Sequence, residues 1–228
     1  MYPETQRSAA DFDAVIFDVD GTLVNTETLW DEVRRSLAAS QGVSWPAEAT
    51  VAMMGMNTEE WSAYLVEVVG LAGTPAEAAQ ATIDGMLQHY RRGVPVLPGA
   101  ISALRRMARL VPIAIASSSP RVLIEAAAEM LQLNDLVRVI VSTGEVPRGK
   151  PAPDGYLRAA ELLGVDPTRC VAVEDATSGI QSALAAGMRV VAVPQEFHRP
   201  PAELLAKTTV LESLDELTVE LLASRGSG

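Results

Sequence analysis

Cysteine is nearly absent from this chain: of 228 residues only Cys170 carries a thiol, which excludes an internal disulfide and any metal site built from several thiolates. Histidine is almost as scarce, and His89 and His198 are too few and too scattered for a histidine metal cluster or a histidine-based triad. Positive charge is short as well. With 18 Lys and Arg against 29 Asp and Glu the formal charge is −11, so no nucleic-acid partner is expected, because phosphate backbones require clustered basic side chains. An anionic ligand would have to meet positive charge concentrated locally. No apolar run approaches the roughly 20 residues that span a bilayer. The polar leader Met1–Asp11 lacks the basic start and apolar stretch of a secretory signal, so no membrane partner and a cytoplasmic location are expected. Repeats and low-complexity tracts are missing, and the Arg225-Gly-Ser-Gly end reads as frayed.

What is present fits a soluble globular protein: 48% of residues are hydrophobic and 21% charged. The length allows one large domain or a domain with a smaller insert. Short runs rich in Val, Ile and Ala recur as AVIF (14–17), VPIAIA (111–116), VRVIV (137–141), CVAV (170–173) and VVAV (190–193), and they read as strands. Helix-like segments fall around the later ones, at 99–109, 121–130, 155–163 and 178–186. The strands lack polar alternation, which predicts a parallel sheet covered on both faces, a doubly wound α/β core. Cys170 fits there as a small buried residue at a strand start.

In such sheets ligands gather beyond the carboxyl ends of the strands. The first run ends in Asp18 and Asp20, the second in Ser117 and the fourth in Glu174 and Asp175, while Lys150 lies in the loop after the third. Two acidic patches, a hydroxyl and an ammonium would meet at one rim. Segment 26–92 breaks the pattern: it has no convincing strand and holds Trp30, Trp45 and Trp61, most simply the core of a helical insert. Asn57 with Glu60, and Thr74, Pro75 and Glu77, have the spacing of helix-start capping boxes. Leaving after the first strand and returning near 94–98, the insert would sit over the acidic rim, where a lid belongs. The expected division is therefore a core of residues 1–25 and 93–228 and a cap of residues 26–92.

Two carboxylates facing one spot repel unless they share a cation or a proton. Hard oxygen ligands without thiolate or imidazole favour Mg²⁺, with Asp18 and Asp175 as candidate ligands. Lys150 could neutralise a third acid or a phosphoryl oxygen. Ser119 is placed to cap a helix beginning at Pro120, which would aim backbone N–H groups at an anion. Together these parts describe a phosphoryl-transfer site in which a carboxylate attacks phosphorus and a second acid moves the proton. Taken singly, an aspartate pair at a strand end is more often a turn or a cap, and a lysine in a Gly-Lys-Pro turn is usually solvated. Only the joint arrangement favours catalysis.

The segment DVDGTLV (18–24) resembles the first motif of the haloacid dehalogenase superfamily. IASSS (115–119), GKPAPDGY (149–156) and VAVEDATSGIQSALAAG (171–187) resemble its second, third and fourth motifs, in order and across almost the whole chain. The resemblance implies Asp18 as nucleophile, Asp20 as general acid/base, Ser117, Ser118 and Lys150 as phosphate partners, and Lys150 as a partner of the nucleophile. It also implies Mg²⁺ held by Asp18, Asp175, the backbone carbonyl of Asp20 and the accessory acid Glu174. The second aspartate of the first motif favours phosphoryl transfer over halide displacement.

Within the superfamily the chain is similar to β-phosphoglucomutase-like members, whose small helical cap is inserted after the first motif. ETLWDE (27–32), SSSP (117–120), LGVDPTRCVAVED (163–175) and LESLDELT (211–218) look most like bacterial phosphatases of 2-deoxyglucose 6-phosphate and hexitol phosphates. Three positions depart from relatives: Asn25 stands where many have aspartate, and Trp30 and Thr58 stand where the mutase has histidine and arginine. A mutase needs a cation on the lid for the second phosphate; residues 55–58 offer none, leaving Arg91 or Arg92 as candidates. The resemblance therefore implies a Mg²⁺-dependent phosphatase of small phosphorylated metabolites; its specificity is expected on the cap near Gly55, Met56 and Asn57, and a monomer is expected for a core with its own lid. A phosphosugar mutase and a non-catalytic metabolite binder are the alternatives.

Overall fold

The computed structural model describes residues 11–54, 56–195 and 199–223. Six parallel strands form one sheet in the order β3 (Val137–Ser142), β2 (Ile113–Ser117), β1 (Ala14–Phe17), β4 (Cys170–Glu174), β5 (Arg189–Ala192) and β6 (Thr209–Val210). Five of these are the apolar runs of the sequence. The sixth has only two residues, too few to show a period.

Alternation along each strand divides the interior in two. Val15, Phe17, Ile113, Ile115, Val171, Val173 and Val191 point into one apolar cluster, and Ala14, Ile16, Ala114, Ala116, Ala172 and Ala192 point into the other. The first face meets α5 (Ala100–Ala108) through Ala100, Ala103, Leu104 and Met107, and α6 (Arg121–Met130) through Leu123, Ile124, Ala127 and Ala128. These spacings are those of one helical stripe. The second face carries small side chains, which admits α7 (Asp154–Leu163) and α8 (Thr177–Ala185) on their own alanines, Ala159, Ala160 and Ala183. The sheet is thus covered on both sides, as its unbroken apolar strands require.

Among the described residues, 26–92 hold helices joined by turns and no strand. α1 (Glu27–Ser40), α2 (Ala49–Ala52), α3 (Thr58–Tyr64) and α4 (Pro75–Arg92) enclose a third apolar cluster containing Trp61, Leu65, Met53 and Ala78. Both capping boxes form: Asn57 accepts from the Glu60 N–H at 3.0 Å and Thr74 from the Glu77 N–H at 3.3 Å, with the glutamates answering in return. The segment is not isolated from the core, because Val33, Met86 and Tyr90 belong to the first core cluster. Cys170 is buried at the start of β4, and burial pushes its thiol up to about 12.

Candidate active site

β1, β2 and β4 lie side by side in register, with Phe17 paired to Ile115 and to Val173, so the residues that follow them emerge together. The Asp18 N–H donates to the Val173 carbonyl at 3.0 Å, carrying the ladder one residue past the strand. The chain then turns at Gly21, whose N–H donates to the Val24 carbonyl at 2.8 Å and whose φ is +86°. A Cβ there would stand 2.1 Å from Asp175 Oδ2, so only glycine lets the first motif lie against the acid that follows β4. Thr22 Oγ1 donates to Asp175 Oδ1 at 3.2 Å and completes that junction.

Lys150 Nζ lies 2.6 Å from Asp18 Oδ1 and 2.6 Å from Glu174 Oε1, with all three side chains buried. The Tyr156 hydroxyl also donates to Glu174 Oε1, at 2.6 Å. Gly179 packs directly against Glu174, where a Cβ would stand 2.1 Å from the carboxylate. Carboxylate oxygens of Asp18, Glu174 and Asp175 lie within 4.8 Å of one another. Burial pushes the Asp18 carboxyl up to about 7; Lys150 opposes the shift, and the Glu174 and Asp20 carboxylates add to it. Burial likewise raises Asp175 well above the carboxylate range, helped by Asp18 and Glu174. Burial disfavours the Lys150 ammonium, yet the two carboxylates outweigh it and raise its pKa. Three hard oxygen donors sharing one ammonium leave negative charge uncompensated, and that donor chemistry fits a divalent cation of the Mg²⁺ type.

Asp20 is held apart from this cluster. Its Oδ1 accepts from Thr26 Oγ1 and, at 3.4 Å, from Trp30 Nε1, while its Oδ2 accepts from Ser119 Oγ at 2.6 Å. Ser117 Oγ accepts from the Ser119 N–H at 3.1 Å, so the turn after β2 is folded on its own side chain. Two acids one residue apart in sequence therefore have different company: one faces an ammonium and two acids, the other three neutral donors.

The pattern of haloacid dehalogenase-like hydrolases matches residues 12–187, most of the chain and every group just described. This chain belongs to that family. It is 33% identical over 218 residues to hexitol phosphatase B of Escherichia coli K12, covering 91% of this chain and 95% of the relative. It is 30% identical to the bifunctional riboflavin kinase/FMN phosphatase of Arabidopsis thaliana, of whose length it spans 54%. Among solved structures, a CbbY variant from Rhodobacter sphaeroides in complex with xylulose-(1,5)bisphosphate aligns with a TM-score of 0.80 at 26% identity, covering 90% of this chain and 96% of that one.

The family motifs converge on a cleft of about 190 Å³ lined by Asp18, Asp20, Ser117, Ser118, Lys150, Glu174 and Asp175, with α1 and α2 supplying the opposite wall. Asn57 is placed differently: its side-chain oxygen caps α3 and it does not line the cleft. Gly55 lies outside the described residues, as do His198, the first ten residues and the C-terminal tail. Ser119 is a correction. α6 begins at Arg121 with Pro120 before it and no side-chain cap, because the Ser119 hydroxyl is spent on Asp20. Trp30 is a second correction: it packs against Trp61 at 5.9 Å between ring centroids, but also lines the cleft and donates to Asp20, so it is wall as much as core. Trp45 is only partly buried and donates to Thr50 Oγ1 at 3.2 Å.

Arg91 and Arg92 are exposed at the end of α4 and do not reach the cleft. Arg34, which sequence reasoning missed, does. Thr26 and Tyr156 were missed in another way: both stand in or beside recognised motifs, but their partners lie elsewhere in the fold. For Arg34 the available signal was its place four residues after Trp30 on α1, which puts both on one helix face.

Proposed function

We propose that the chain is a Mg²⁺-dependent phosphatase of small sugar or sugar-alcohol phosphates, working as a monomer through an aspartyl phosphate on Asp18 beneath a cap formed by residues 26–92. The observation that carries this reading is the unlike setting of the two acids. Asp18 sits beside Lys150 at 2.6 Å with Asp175 and Glu174 close by, whereas Asp20 is held by Thr26, Trp30 and Ser119. A nucleophile needs fixed orientation and charge compensation; a proton carrier needs a separate hold.

Asp18, Asp175 and the Asp20 carbonyl would hold the metal, with Glu174 as accessory acid, and the ion would offset charge on the phosphoryl oxygens. An Asp18 oxygen attacks phosphorus, and the leaving alkoxide takes a proton from Asp20. Asp20, now a carboxylate, removes a proton from the water that cleaves the acyl phosphate. Lys150 holds Asp18 in line and donates to a phosphoryl oxygen, and Ser117 and Ser118 supply further donors. Trp30, Met53 and Trp61 in the facing wall exclude competing water.

Support from relatives is consistent, since hexitol phosphatase B covers nearly the whole chain. The test is a screen of phosphate monoesters with and without Mg²⁺, scored for inorganic phosphate; a wild type that releases none from any ester removes the reading. A mutase is the second reading, favoured by the cation Arg34 in the cap wall. Conversion of β-glucose 1-phosphate to the 6-phosphate without net phosphate release would establish it.

A further inference from the structure

Arg34 is the unusual side chain of the cleft. It is only 8% exposed, its guanidinium carbon lies 4.9 Å from the ring centroid of Trp30 and 4.9 Å from that of Trp61, and it lines the same cleft as Asp20. Its buried Nε has no hydrogen-bond partner, and no carboxylate among the described residues comes within 4.0 Å of its nitrogens. The two acids that feel its charge are engaged elsewhere. Asp31 is bound by Arg35 Nε at 2.6 Å and by the Thr50 hydroxyl, and Asp20 by its three donors. Burial lowers the arginine to about 10, so it remains a cation at neutral pH.

An unpaired buried guanidinium is costly, and cation–π contact with two adjoining indole rings does not replace hydrogen bonds to its N–H groups. The in-plane N–H donors remain, and their fork matches a carboxylate or a phosphate. Among the residues lining the cleft the cap contributes no other cation, while Glu27 and Asp31 are acidic. A neutral polyol would leave the guanidinium charge uncompensated.

We propose that Arg34 anchors a second anionic group of the substrate, so that the preferred esters are short sugar or sugar-acid phosphates carrying a second phosphate or a carboxylate at the end remote from the reacting phosphorus. This rests on the phosphatase reading above and shifts its preferred substrates from neutral-tailed sugar-alcohol phosphates to doubly anionic esters. Where the mutase pattern has an arginine, this chain has Thr58; here the charge comes from α1 and rests against two adjoining tryptophans.

The experiment compares matched esters: 6-phosphogluconate against sorbitol 6-phosphate for a carboxylate, and fructose 1,6-bisphosphate against fructose 6-phosphate for a phosphate. Wild-type kcat/KM should be about 10- to 100-fold higher for at least one doubly anionic member over its partner, the size of a charged hydrogen-bonded contact. Arg34→Gln should erase that ratio, and Arg34→Lys, a point charge without the fork, should restore part of it. A wild type that prefers neither doubly anionic ester over its partner, or an Arg34→Gln protein that keeps the ratio, overturns the inference. Should Arg34→Gln fail to fold, calorimetric binding of the same pairs to Asp18→Asn decides: equal affinities within each pair are incompatible with an anion anchor. That measurement needs no turnover, so it still decides if the phosphate-release screen is negative and the phosphatase reading alone has failed.

Discussion

The Ser119 hydroxyl donates to Asp20 Oδ2 at 2.6 Å across 99 residues of sequence, tying the loop after β2 to the loop after β1. It fixes the direction in which the Asp20 carboxyl can point. Ser142 Oγ in turn donates to the Ser119 carbonyl at 2.7 Å, so the hold on Asp20 is anchored in a third strand.

Ser119→Ala is therefore expected to lower kcat by about 10- to 100-fold, the cost of one hydrogen bond to a charged group. The far-UV spectrum should not change. Ser119→Thr should recover part of the rate; steady-state phosphate release is the measurement, and unchanged kcat in the alanine variant would show that Asp20 needs no such hold.

Asp18→Asn is expected to abolish turnover, because an amide oxygen cannot form the acyl phosphate. Asp20→Asn should retain ligand binding while slowing both chemical steps by roughly 10²- to 10⁴-fold. Single-turnover kinetics separate the two variants.

Gly179→Ala puts a methyl group 2.1 Å from the Glu174 carboxylate, and both backbone and carboxylate are confined, the latter by Lys150 and Tyr156. We expect a loss of about 1–3 kcal/mol in stability, as for other overpacked interiors, with a marked loss of activity. Thermal unfolding beside the rate assay checks it, and a wild-type Tm would contradict the crowding.

Asp18 has a folded pKa of about 7 against 3.8 for the free side chain, and Asp175 is raised in the same direction. A raised carboxyl contributes stability that is fully present below about pH 4 and is lost as pH climbs through the folded value. Metal-free protein should thus lose stability between pH 4 and 7 on account of Asp18, and Asp175 acts in the same direction. Mg²⁺ would stabilise the ionised pair, so its addition should raise Tm more at pH 7.5 than at pH 5. An equal shift at both values would place the ion away from these acids. Chelation should also remove phosphatase activity.

Legibility in the sequence followed the range of the interactions. The strands at 14–17, 113–117 and 170–174 and the capping boxes at Asn57 and Thr74 depend on neighbours a few residues away, so their signals survive in one dimension. Ser119-Pro120 has the local pattern of a helix start, yet the partner of the Ser119 hydroxyl is 99 positions distant. Asn57 illustrates the converse: its capping role depends on Glu60 three residues on and forms as the spacing predicts, while the residue does not line the cleft.

Periodicity and motif order already encode the covered parallel sheet, the helical character of residues 26–92 and the meeting of Asp18, Lys150, Glu174 and Asp175, since they bring strand ends to one rim whatever the details of packing. The grip of the Thr26 and Ser119 hydroxyls on Asp20, the sharing of Glu174 by Tyr156 and Lys150, and the unpaired Arg34 beside Trp30 and Trp61 emerge only in the folded chain. Those facts depend on burial and on which charges find partners, and both are properties of side chains brought together from distant parts of the chain.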